Sequence, residues 1–427
     1  MISEQEPATY DVCIIGTGMS GMSAALFAAN RGFSTALIGS SGEIIFASGL
    51  LDLLGVHPIE KRKTWRDPWA GIAALKRSNP LHPYARLTKK DILAGFDELL
   101  DFLEKSGIPY RRKMKVNSEV PTALGTTKLT YCVPRTMWHG VEALANKKSC
   151  LLVGIQGLKG FSAYQVAATL NARWPELRSV QIPFPGLPHS GEVYAERLAR
   201  ALELGANRER FAGAVRSCLD GARFVAFPPI LGITDSLQIF SDLQDLIGVP
   251  IFEVPGTAPS VPGLRLKEAF ERFLPQSAVR LFSQHRVLNL SPDGSGNFIL
   301  EIGRFSAECA VRSKAVILAT GGFIGGGLRA GRKQIRETLL GLPVYQPEGR
   351  NFWHRKDFFD PRGHPINQSG LETDDLFRPL DKNGHPAFQT LFAVGSILAH
   401  QDWMRMKCGA GLAIASAYAA VNSLLKI

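Results

Sequence analysis

Six cysteines, at positions 13, 132, 150, 218, 309 and 408, are spread over 427 residues and form no C-x-x-C pair. The ligand spacing of a zinc knuckle or an iron–sulfur cluster is therefore missing, and no metal is expected. A secretory signal is missing too: the chain opens Met1-Ile2-Ser3-Glu4-Gln5-Glu6, acidic where such a signal is basic. No run is apolar enough to span a bilayer. The nearest, residues 409–425, is rich in Gly, Ala and Ser and carries Asn422, so it reads as a packed helix. These absences predict a cytoplasmic protein with free, mostly buried thiols and at most peripheral membrane contact. Acidic charge is also in short supply. Lys and Arg number 49 against 38 Asp and Glu, a net +11, which suits a phosphorylated substrate, an anionic cofactor or an anionic membrane surface. The densest basic run, Arg111-Arg112-Lys113-Met114-Lys115, lacks interleaved aromatics, so no nucleic-acid partner is expected.

What is present begins at the N-terminus. Tyr10-Asp11-Val12-Cys13-Ile14-Ile15 is a short apolar run, followed at once by Gly16-Thr17-Gly18-Met19-Ser20-Gly21 and an alanine-rich helical stretch. Ser34-Thr35-Ala36-Leu37-Ile38-Gly39 reads as the next strand, which completes a βαβ unit. In that setting Gly16 permits the tight turn, Gly18 admits a pyrophosphate to the backbone, and Gly21 lets helix and strand pack closely. The helix start offers unpaired N–H groups and partial positive charge to the phosphates. The acid that normally ends the second strand and holds the adenosine ribose is missing, because Ile38 leads into Gly39-Ser40-Ser41-Gly42. Glu43 from a displaced loop, or Ser40, is the replacement candidate; otherwise the site takes a mononucleotide.

Farther along, Ala47-Ser48-Gly49 supplies small residues that would let backbone lie beside a planar ring. Residues 61–262 read as an inserted cap or substrate region, and residues 8–60 and 263–427 as a discontinuous nucleotide-binding domain. In the latter, Arg286-Val287-Leu288-Asn289-Leu290 is a strand. Lys314 to Leu318 is another, and it ends in Ala319-Thr320-Gly321-Gly322 at the strand end where ligands collect. Leu391 to Val394 runs into Gly395-Ser396, and Cys408-Gly409-Ala410-Gly411 opens a last helix whose start could meet the anionic edge of a reduced flavin. The fold class is thus α/β: a Rossmann-type FAD/NAD(P)-binding domain with an inserted α+β cap.

These four pieces in this order resemble the FAD-dependent fumarate reductase/succinate dehydrogenase superfamily. A narrower resemblance rests on Ala47 to Leu54, Val153 to Leu158, Phe323 to Leu328, Ile335 to Leu342 and Leu391 to Ser396. Over nearly the whole chain it is to the B subunits of anaerobic glycerol-3-phosphate dehydrogenases. That resemblance implies oxidation of sn-glycerol 3-phosphate to dihydroxyacetone phosphate. Electrons would pass through an iron–sulfur membrane subunit to quinone, with fumarate or nitrate as terminal acceptor. It implies FMN here beside a catalytic, FAD-containing A subunit, and membrane contact through the partner only, at the cytoplasmic face of the inner membrane. FAD is the alternative, because the glycine turn and the strand around Val287 hold an adenine dinucleotide in the superfamily. The chain departs from its family at Leu398-Ala399-His400-Gln401-Asp402-Trp403 and Met404 to Lys407, where relatives are richer in glycine.

Oxidising an alcohol with a flavin needs a base for the hydroxyl proton and cations for the phosphate. His57 and His400 are the base candidates, since both follow segments expected near the ring. Arg329, Arg332, Arg336 and Arg378 lie on or after the carboxyl-end loops and can bind phosphate in bidentate fashion. Two other readings stay open: a non-catalytic scaffold or relay subunit, and a fumarate reductase-like flavin dehydrogenase.

Overall fold

A computed structural model describes residues 6–40, 43–186 and 191–426. The chain divides into two compact units: residues 1–43, 52–99 and 270–427 form one, and residues 44–51 and 100–269 the other. The sequence boundaries at 61 and 262 fall elsewhere, because residues 52–99 join the first unit and the short 44–51 segment joins the second.

The first unit is built on a seven-stranded sheet. Its order is Val279–Ser283, Thr35–Gly39, Ala8–Ile15, Ala307–Leu318, Phe298–Gly303 and Arg286–Pro292, and Leu391–Ala393 also pairs with Ala307–Leu318. The first strand lies parallel to both neighbours, with Cys13 opposite Val316 and Ala36. Along its other edge Ala307–Leu318 serves two further partners. Residues up to Ser313 run antiparallel to Phe298–Gly303, and Val316 to Leu318 run parallel to Leu391–Ala393. Val12 to Ile14 and Val316 to Leu318 are fully buried, as apolar central strands of a parallel sheet should be. The alanine-rich helix Met19–Asn30 packs on the strands Ala8–Ile15 and Thr35–Gly39, and Gly409–Leu424 packs against that helix. Small side chains let these helices lie close, and the Phe27 ring meets Tyr418 edge-on at 5.4 Å, a contact worth about 0.5–1.5 kcal/mol beyond its buried area. Arg31 ties them further, donating to Asn422 Oδ1 (2.7 Å) and to Glu98 Oε1 (3.0 Å).

The second unit holds an all-parallel four-stranded sheet ordered Ile251–Glu253, Phe224–Phe227, Cys150–Ile155 and Leu177–Ile182. Helices lie between its strands, and the apolar runs Leu151 to Val153 and Val225 to Phe227 are buried. Two small antiparallel ribbons, Tyr110–Arg112 with Cys132–Pro134 and Ser118–Pro121 with Thr127–Thr130, accompany it. Helix alternation thus dominates a region expected to be α+β, and its two inner strands are buried along their length. One ion pair sits inside this unit. Arg265 donates to Glu253 through Nη1 (2.6 Å) and Nη2 (2.8 Å), with both side chains buried. Glu253 Oε1 also accepts from the Leu231 amide, and Arg265 Nε donates to the Gly232 carbonyl. The pair therefore closes the loop that follows Phe224–Phe227. Glu253→Gln leaves a buried guanidinium without its counter-charge and should lower unfolding free energy by about 3–5 kcal/mol. Urea denaturation checks this, and a variant as stable as the parent would show that the pair carries no such weight.

Candidate functional site

Three chain segments of the first unit meet at the carboxyl ends of its central strands. Gly16 adopts φ +118°, and a Cβ there would collide with the Ala319 carbonyl oxygen. A Cβ at Gly21 would strike the Gly16 carbonyl, and one at Gly395 the Ser20 hydroxyl. The glycine turn, the Ala319 to Gly322 turn and the Gly395-Ser396 turn are thereby held together, with the Ser396 carbonyl 3.3 Å from where a Gly322 Cβ would stand. The helix Met19–Asn30 starts here with Gly18 as its cap, no side-chain hydrogen bond from that cap and no acid in its first turn. Thr320 Oγ1 is buried beside this turn and has no protein partner among the described residues. An open helix start, close backbone approach and an orphaned hydroxyl suit a phosphate group. The phosphate end of a flavin nucleotide therefore fits.

At the ribose end, Ser40 Oγ accepts from Arg286 Nε at 3.1 Å, so a serine–arginine pair stands where a carboxylate is usual. The Glu43 side chain lies outside the described residues. Val287, next to Arg286, is buried on the Arg286–Pro292 strand opposite Ile302. Ser48 and Gly49 belong to the second unit, where Ser48 Oγ accepts from the Leu50 amide (3.4 Å) and Gly49 packs on Pro262. The last helix begins at Gly409, against which the Trp403 ring lies. The amide of Gly411, expected to face a flavin edge, instead donates to the Asp52 carbonyl at 2.6 Å. The reason is the returning chain, since the Asp52 carbonyl and Leu53 Cα stand 2.9 Å from a Cβ at Gly411.

The two candidate bases are joined by a third histidine. His400 is buried in the left-handed region at φ +63°, uncommon for a residue other than glycine and a sign of a position held for a purpose. Its Nε2 meets Glu372 Oε1 at 2.7 Å, and its ring lies 4.0 Å from the Tyr345 ring. With Nε2–H given to the carboxylate, Nδ1 keeps a lone pair. His57 Nε2 is 2.8 Å from Ser78 Oγ, and burial pulls its pKa down. Asn79, the next residue, donates from Nδ2 to the His400 carbonyl (3.1 Å). His82 follows, fully buried, its Nδ1 accepting from the Tyr84 amide at 3.1 Å. Burial, then the cationic forms of His57 and His400, push its pKa down to about 3, so His82 is neutral and its proton sits on Nε2. That nitrogen has no protein partner among the described residues. The Ser78 to His82 connection thus touches both candidate bases. Sequence reasoning missed Glu372 and His82.

The candidate phosphate arginines separate. Arg329 and Arg336 are exposed and face each other across the ribbon Leu328–Ala330 with Ile335–Glu337. Arg378 is engaged elsewhere, its Nε donating to Asp374 Oδ2 at 2.8 Å and its Nη1 to Gln389.

Among known proteins, the FAD binding domain family matches residues 11–412. The B subunit of the anaerobic glycerol-3-phosphate dehydrogenase of Vibrio vulnificus is 29% identical over 424 residues, 97% of this chain and 95% of that protein. A protein of Halobacterium salinarum, named as the probable B subunit of an anaerobic glycerol-3-phosphate dehydrogenase, is 30% identical, covering 96% of each. Among solved structures, the 3-ketosteroid delta1-dehydrogenase of Sterolibacterium denitrificans aligns over 98% of this chain and 99% of that one, at 13% identity and a TM-score of 0.44. The family match is to an FAD domain, so it supports the FAD alternative and not FMN. No helix among the described residues is long and apolar enough to cross a membrane. The chain is a member of the FAD binding domain family and, within it, of the anaerobic glycerol-3-phosphate dehydrogenase B subunits.

Proposed function

We propose that this chain is the flavoprotein subunit of an assembly that oxidises sn-glycerol 3-phosphate to dihydroxyacetone phosphate. Electrons leave through an FAD-containing A subunit and an iron–sulfur membrane subunit to quinone, with fumarate or nitrate as terminal acceptor. The observation that carries the catalytic part is the Glu372–His400 pair, a buried imidazole oriented by a carboxylate 2.7 Å away. In this reading Gly16, Gly18 and Gly21 hold the FAD phosphates, and the Thr320 hydroxyl and the backbone of Gly321, Gly322, Gly395 and Ser396 close around them. When bound, the flavin supplies the hydride acceptor. His400 takes the hydroxyl proton of the substrate on Nδ1, and Glu372 stabilises the imidazolium that results. His57, held by Ser78, is the second candidate for that proton. Arg329 and Arg336 are the candidate phosphate clamp; Arg378, already paired with Asp374, is a weaker one.

The relay reading has one observation in its favour. The Gly411 amide is given to the Asp52 carbonyl, which takes from the last helix a donor expected to face the ring. A relay subunit would bind flavin and lose little when His400 is altered.

Two outcomes test the proposal. Gly18→Glu places a side chain and a negative charge at the helix start, and the purified variant should lose its FAD while its far-ultraviolet dichroism stays that of the parent. Chromatography of flavin released by heat reads this out, and FMN in the parent would show that the dinucleotide end is unused. His400→Asn should slow dihydroxyacetone phosphate formation, assayed with an artificial electron acceptor, by roughly 10²–10⁴-fold. Glu372→Gln should give a smaller loss in the same direction, and unchanged turnover in both would point to the relay.

A further inference from the structure

The ribbon Leu328–Ala330 with Ile335–Glu337 and its tip carry four cations: Arg329, Arg332, Lys333 and Arg336, all exposed. Its register sets Arg329 directly opposite Arg336, an arrangement of like charges that weakens a ribbon unless an anion answers it. None of the four has a carboxylate partner among the described residues. Arg336 leans on the Gln334 amide oxygen instead, at 2.8 Å from Nε. The ribbon's own acid, Glu337, is turned inward, where its carboxylate accepts from the amides of Leu339 (2.9 Å) and Leu340 (2.8 Å). The cations are presented rigidly. Gln346 brackets Ile335 with two hydrogen bonds, and Arg350 Nη1 donates to the Gly331 carbonyl at the tip.

Large apolar side chains lie exposed along the same stretch. Ile324 is 77% exposed just before the ribbon, Phe352 64% beside Arg350, and Phe358 and Phe359 78% and 85%. The Phe358 loop is itself fixed, since His364 donates to the Phe358 carbonyl and accepts from the Arg355 amide. The core of a protein–protein contact is depleted in charge, whereas here four cations without a carboxylate partner among the described residues are followed in the chain by protruding aromatics. That combination holds peripheral proteins on anionic lipid, where each basic residue adds attraction and apolar groups enter the interface. We propose that residues 324–359 form a membrane-facing strip, in which the tip cations Arg332 and Lys333 engage anionic lipid headgroups and Phe352, Phe358 and Phe359 enter the interfacial layer. This goes beyond the redox reading and does not depend on it.

The test is co-sedimentation of the purified full chain with vesicles of phosphatidylcholine alone or mixed with phosphatidylglycerol. Binding is expected only to the mixed vesicles and should weaken as salt rises. Arg332→Glu with Lys333→Glu should reduce it by roughly tenfold or more, and Phe358→Ser with Phe359→Ser should reduce it even at low salt. All four positions are exposed, so thermal melting should match the parent. Failure to prefer the mixed vesicles, or double variants that bind as the parent does, overturns the proposal. So does loss of binding on adding inorganic phosphate but not chloride of equal ionic strength, which makes the ribbon a phosphate site. Release of a companion subunit by these substitutions, with vesicle binding unchanged, assigns the strip to protein docking and overturns it as well.

Discussion

The first unit depends on how closely the Gly16–Gly21 turn approaches the end of the neighbouring strand. With Gly16 at φ +118° and no Cβ, the Ala319 carbonyl rests against its Cα, and Gly21 lets the helix start settle over the Gly16 carbonyl. Larger residues would push the Ala8–Ile15 and Ala307–Leu318 strands apart and move the helix off the sheet. Because both contacts are made by backbone and the cap residue is Gly18, no cap side chain is hydrogen-bonded to the first amides of the helix. The third turn, Gly395-Ser396, is drawn in by the parallel pairing of Leu391–Ala393 and by the Gly395 amide, which donates to Ser416 Oγ on the last helix. A corner suited to an anion thus follows from packing that the sheet needs in any case.

Two buried polar groups of the first unit contrast with the buried ion pair of the second. Glu253 and Arg265 satisfy each other and two backbone groups of one loop, as a structural pair must. Thr320 Oγ1 and His82 Nε2 are equally buried and have no protein partner among the described residues. Leaving such a group unpaired costs about 1–3 kcal/mol. One lies at the phosphate corner and the other on the connection that touches both candidate bases. Through the Ser78 to His82 connection the buried His82 ring lies close enough to feel both His57 and His400, which are far apart in sequence.

Legibility in the sequence followed locality. The glycine turn could be read because strand, turn and helix are contiguous, and their spacing carries the geometry. Ala319 to Gly322 and Gly395-Ser396 showed themselves as small residues ending apolar strands. His400 was visible as a bulky departure within a glycine-rich family pattern. Glu372 was not, because its role comes from a contact 28 residues away and nothing in Ser369 to Asp375 marks one acid over the others. His82 hid in a proline-flanked connection that reads as a plain loop. The second unit's strands were readable as apolar runs, but their order was not, and neither was the exchange of residues 44–51 into that unit. The arginines show the same limit: composition pointed to anion binding, whereas partners such as Asp374 for Arg378 appear only in three dimensions.

The central claim is that an FAD held at the glycine corner accepts electrons from a phosphorylated alcohol through chemistry within this chain. Anaerobic addition of sn-glycerol 3-phosphate to the isolated, FAD-loaded chain, followed in the visible flavin band, tests it most directly. The account predicts that the band bleaches with sn-glycerol 3-phosphate and not with glycerol, and that dihydroxyacetone phosphate appears in equal amount. A band that stays oxidised with the substrate, yet bleaches when the reduced A subunit is added, would contradict it and make this chain a carrier of electrons produced elsewhere.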